Sequence, residues 1–91
     1  MNTTEKIITI LRDALSATRV DVEDESAQHA GHAGATSGGG HYRVTVVSSL
    51  FEGKTLVARH RLVYDALAKE MQREIHALAL TTLTPSQKPT D

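Results

Sequence analysis

One stretch constrains this chain more than any other: residues 26–40 hold five of its six glycines and two of its histidines, and no large apolar residue. Nothing there can anchor to a core, so the stretch reads as a long mobile loop over about 26–40. With only 91 residues in total, the segments on either side must share one core, since a domain of this size buries roughly 60–65% of the surface its unfolded chain exposes. The reading is therefore a single domain over 1–91, ordered over about 4–85.

Before the loop, Thr3 or Thr4 can cap a helix whose apolar positions Ile7, Ile8, Leu11, Ala14 and Leu15 recur at spacings of three and four, which predicts a helix over about 4–16. Val20 and Val22 then alternate with Arg19, Asp21 and Glu23, the period of a half-buried strand. After the loop, Tyr42, Val44 and Val46 alternate with Arg43 and Thr45, predicting a strand over about 41–49 that pairs antiparallel with the first. Gly53 marks a turn. Leu56, Val57, His60, Val63, Tyr64, Leu67 and Met71 follow at helical spacing, uninterrupted by Gly or Pro, and predict one helix over about 55–70. A turn over about 72–75 leads to a third strand over about 76–82, where Leu78 and Leu80 alternate with Ala77 and Ala79, and a frayed polar tail over 86–91 ends the chain. The fold class is α+β: an αββαβ domain with a three-stranded mixed sheet backed by two helices.

Composition narrows the function classes. The absence of cysteine excludes a disulfide scaffold, a thiol nucleophile and an iron–sulfur site held by this chain alone. The longest apolar runs are far short of the approximately 20 residues of a membrane span, and the first five residues lack a basic secretory start. The expectation is a soluble cytoplasmic protein. A net charge of −1 argues against a strongly electrostatic nucleic-acid binder, yet residues 41–64 carry Arg43, Lys54, Arg59 and Arg61 against Glu52 alone. Gly53-Lys54-Thr55 echoes a phosphate loop, but Ser48 stands where that loop needs glycine. No Ser/His/Asp set or desolvated acid pair suggests an enzyme.

The five histidines are the residues with chemistry to offer. His29, His32 and His41 could set two or three neutral imidazoles round one metal, or stand as solvated loop residues. His76, at the start of the third strand, reads equally as a hydrogen-bonded structural histidine or a ligand. His60 falls on the apolar side of its helix and reads as a packing residue.

The blocks Asp24-Glu25-Ser26, Gly40-His41-Tyr42-Arg43-Val44, Phe51-Glu52-Gly53-Lys54, Arg59-His60-Arg61-Leu62-Val63-Tyr64 and Ile75-His76-Ala77-Leu78, with Thr84-Pro85, resemble the BolA family over about residues 4–86. The Gln28-to-Gly34 segment is most similar to the plastid and cyanobacterial branch. The resemblance implies a topology like the class II KH fold and work with a monothiol glutaredoxin in handling [2Fe–2S] clusters, iron signalling and redox regulation. It implies that His76 is a cluster ligand, with His29, His32 and His41 competing for a second place. His41 is favoured among them because the start of a strand holds it rigidly, so it loses less entropy on binding. The missing thiolates would come from the glutaredoxin cysteine and its glutathione, and the isolated protein would carry no cluster. The alternative is a DNA-binding transcriptional regulator that uses the helix–turn region over about 55–75, with Lys54, Arg59 and Arg61 on the phosphates. The free chain is expected to be a monomer or weak homodimer.

Overall fold

The computed structural model describes residues 2–26 and 40–87. Helix α1 (Thr3–Leu15) is capped one residue earlier than its threonines suggested: the Asn2 side chain accepts from the Glu5 N–H at 2.8 Å. Ile7, Leu11 and Leu15, four apart, form its buried stripe. The helix stops at Ser16, whose left-handed φ of 50° turns the chain into the sheet.

Strand β1 (Arg19–Asp24) pairs antiparallel with β2 (Gly40–Val47), from Arg19 opposite Val47 to Asp24 opposite Tyr42. Both strands follow the alternation in the sequence, and Tyr42, Val44 and Val46 turn to the core while Arg43 stays outside. The predicted loop falls almost wholly on residues 27–39, outside the described residues, as do His29 and His32.

A single 3-10 turn (Ser49–Phe51) follows β2 and buries Phe51 completely. Ser48, also fully buried, joins three elements: its hydroxyl donates to the Leu15 carbonyl at the end of α1 (2.6 Å) and accepts from the Leu50 N–H (3.1 Å). Gly53 takes a positive φ of 74°, and Thr55 caps the next helix by accepting from the Ala58 N–H.

The long helix predicted over 55–70 is two pieces, α2 (Leu56–Ala66) and α3 (Ala68–Met71), parted at Leu67 with φ −102° and ψ 16°. No glycine or proline marks the break. Leu67 is fully buried there, and its backbone leaves the helical region while its N–H still reaches the Val63 carbonyl. The apolar face is narrower than the spacing predicted. Val63 and Leu67 are buried, but Leu56, Val57 and Tyr64 are exposed.

Strand β3 (Ile75–Leu83) runs parallel to β2, giving a three-stranded mixed sheet in the order β1-β2-β3. The start of the expected frayed tail is instead ordered, because Pro85–Gln87 forms a 3-10 turn and the Gln87 side chain accepts from Arg59 and from the Thr84 N–H. Residues 88–91 lie outside the described residues. One core joins α1, the inner face of the sheet, Phe51, Val63, Leu67 and Ile75.

Candidate functional site

Parallel pairing sets the first residues of β2 and β3 side by side, and the register slips there. Gly40 lies opposite Ile75 and His41 opposite Ala77, so β3 carries one extra residue, His76, at a bulge. Bulges re-aim side chains, and this one exposes His76 beside His41. The two rings stand 5.2 Å apart, centroid to centroid, with their planes inclined by 52°. His41 is half-buried, with its Nε2 enclosed.

The backbone around this pair is held on three sides. The His41 N–H donates to the Ser26 hydroxyl (3.1 Å), the Glu25 N–H donates to the His41 carbonyl (2.8 Å), and the Gly40 N–H donates to the Glu74 carbonyl (2.9 Å). Ser26 is fixed in turn by Asp24, whose carboxylate accepts from its N–H at 2.9 Å. Hydrogen bonds from the Ser26 side chain first, and its backbone second, hold the Asp24 carboxyl below the usual carboxylate range against a small opposing effect of burial. Glu74 also pairs with Lys6 of α1 at 2.8 Å, and Glu25 with Arg43 at 3.1 Å. Gly40 is required by space, since a Cβ there would lie 2.6 Å from the Tyr42 ring and 2.9 Å from the Ser26 hydroxyl. A shallow cleft lined by Glu25, His41, Tyr42, Ala77, Leu78 and Ala79 opens beside the pair.

Two neutral imidazoles are borderline donors suited to iron, zinc or copper, but two donors do not complete a metal site. Among the described residues no group of three or more His, Cys, Asp or Glu could hold a metal ion, and the chain has no thiolate. The donor set fits half of a shared centre. An iron–sulfur cluster can take two imidazoles when thiolates supply its other positions.

The remaining sequence candidates lie elsewhere. His60 sits in α2 with its Nε2 buried and without a hydrogen-bond partner among the described residues. Lys54 and Arg61 are exposed, whereas Arg59 is engaged with the Lys54 carbonyl (3.1 Å), the Thr82 carbonyl (3.2 Å) and the Gln87 side chain (3.0 Å). Thr82 is six residues along β3 from His76, about 20 Å away, so the basic residues and the histidine pair form no single site. Sequence reasoning missed Ser26 and Gly40 as supports of the pair, having given both to the loop. The Asp-x-Ser spacing of a side-chain-capped turn at Asp24 and Ser26 was the available signal.

These features define a small mixed-sheet α+β domain that sets two histidines side by side at one end of its parallel strand pair. The chain belongs to the BolA-like protein family, whose pattern matches residues 11–87. It is 45% identical over 82 residues to Protein BOLA1, chloroplastic, of Arabidopsis thaliana, covering 87% of this chain and 51% of that protein. It is 41% identical over 80 residues to the DNA-binding transcriptional regulator BolA of Escherichia coli, covering 88% and 73%. The solved structure of BolA1 from Arabidopsis thaliana superposes with a TM-score of 0.83 at 40% identity, covering 98% of each chain. The chain spans about half the length of the plant and mammalian BolA relatives it matches. Relatives named for the chloroplast stand beside others without that label, and no helix among the described residues is long and apolar enough to cross a membrane.

Proposed function

We propose that this chain is an adaptor that pairs with a monothiol glutaredoxin and shares a [2Fe–2S] cluster with it through His76 and His41, in cluster handling and iron or redox regulation. The observation that carries the reading is the pair of imidazoles set 5.2 Å apart by a bulge, in a chain with no thiolate to finish the site. The partner's cysteine and its glutathione supply the remaining ligands. His76, exposed, is the side chain a partner meets first, and His41 ligates through Nδ1 or after its ring turns to free Nε2. When bound between the two proteins, the cluster supplies transferable iron and a visible spectrum. The role is binding, not catalysis, and the proposed setting is the cytoplasm, where thiols are kept reduced. The test is to mix the chain with a monothiol glutaredoxin, iron, sulfide and glutathione, then compare visible absorption and circular dichroism with those of the glutaredoxin alone. A new spectrum that His76→Ala abolishes and His41→Ala weakens or abolishes is expected. A spectrum identical to that of the glutaredoxin rejects the proposal.

A second reading, DNA binding, is favoured by the name of the Escherichia coli relative and by the exposure of Lys54 just before α2 and of Arg61 within it. Arg59 contributes less to it, being occupied by three acceptors. Band shifts at physiological salt with a sequence preference, weakened by Lys54→Ala and Arg61→Ala, support this reading, and binding lost at moderate salt without preference counts against it.

A further inference from the structure

Strand β3 is nine residues long and lies at the edge of the sheet among the described residues. Its sequence, Ile-His-Ala-Leu-Ala-Leu-Thr-Thr-Leu, contains no charged residue and no proline. Charges and prolines are two of the devices that ordinarily keep an exposed edge from pairing with another chain, and the bulge at His76 lies only at the start of this strand, so residues 78–82 need protection from elsewhere. Neighbouring residues on a strand point their N–H and C=O groups to opposite sides. The Leu83 carbonyl accepts from Ser48 on the β2 side, so Leu78, Leu80 and Thr82 present their backbone groups outward.

Two of those outward carbonyls are covered by α2. The Tyr64 hydroxyl donates to Leu78 (3.4 Å) and the Arg59 guanidinium to Thr82 (3.2 Å). Arg59 is held in that place by its bonds to the Lys54 carbonyl and Gln87. Between them, the outward N–H and C=O of Leu80 have no partner among the described residues. A second copy pairing antiparallel about a two-fold axis at Leu80 would place Leu80 against Leu80 and Leu78 against Thr82. Each pair would exchange two backbone hydrogen bonds. The carbonyls that Tyr64 and Arg59 occupy are those that such a pairing would use on either side of its axis.

We infer that Arg59 and Tyr64 guard the β3 edge against a second copy of this chain, and that residues 78–82 form a self-complementary pairing strip beneath them. The test uses the full chain with Arg59→Ala and Tyr64→Ala together, read by sedimentation velocity over a range of concentrations and by amide hydrogen exchange. The double variant should self-associate at least ten-fold more tightly than the wild type, with slowed exchange at Leu78, Leu80 and Thr82. Adding Leu80→Pro removes the N–H at the two-fold axis, leaves the bonds to β2 in place, and should return the variant to wild-type association. A folded double variant that associates no more tightly than the wild type overturns the inference, as does a dimer that survives Leu80→Pro. If the alanine pair fails to fold, Arg59→Lys with Tyr64→Phe keeps the stem and the ring while weakening both guards, and unchanged association in that variant overturns the inference equally.

Discussion

Gly40 stands where a methyl group has no room, between the Tyr42 ring and the Ser26 hydroxyl. The Ser26 hydroxyl accepts from the His41 N–H, so part of the strain of a larger residue falls on the histidine pair. Gly40→Ala should cost about 1–3 kcal/mol in urea unfolding and shift the His41 ring resonances, whereas a mere loop glycine would give neither effect. Ser26 acts on the same histidine through its backbone, and its own partner titrates. Because the folded Asp24 carboxyl lies below its ordinary value of 3.8, the contribution of this link is present above about pH 4 and is lost as pH falls through the lowered value. Removing the hydroxyl with Ser26→Ala should raise the Asp24 value toward 3.8 by NMR titration and flatten that part of the acid limb of stability. An unmoved Asp24 titration would contradict the linkage.

At the level of elements, α2 carries the clearest conflict between local chemistry and packing. His60 buries an Nε2 with no partner among the described residues, and a buried polar atom left unsatisfied costs about 1–3 kcal/mol. His60→Leu should therefore stabilise the domain by about 1 kcal/mol, while His60→Ala, which also loses packing, should destabilise it; chemical denaturation of both variants checks the pair. The same helix marks where the sequence stops being readable. The alternations Val20/Val22 and Tyr42/Val44/Val46 located β1 and β2 because a half-buried strand has to alternate, and Leu78/Leu80 against Ala77/Ala79 located β3 for the same reason. Leu67 gave no such warning, since the break it makes is imposed by its burial against the core and not by a residue that disfavours helix. The family motif pointed to His76 and rigidity favoured His41, but the bulge that brings their rings together depends on pairing between strands far apart in the chain. No local pattern encodes that slip.

Across the whole molecule, the sheet depends on its last strand. Without residues 75–87, β2 loses its parallel partner, and the core loses Ile75 together with the packing of Leu78 and Leu80. A chain ending at residue 74 should lack a cooperative thermal transition by far-UV circular dichroism; a sharp transition would show that α1, β1 and β2 suffice. The parallel pairing of β2 with β3 also has a consequence in time. Non-local contacts of this kind form late, after the entropy of closing the intervening chain has been overcome. His41 leaves the ribosome well before His76, and at about 5–20 residues per second the two are separated by seconds of synthesis in which no pair exists. A chain that stalls or is clipped before β3 therefore carries His41 without His76 beside it, so the pair forms only once the last strand has been made and has docked against β2.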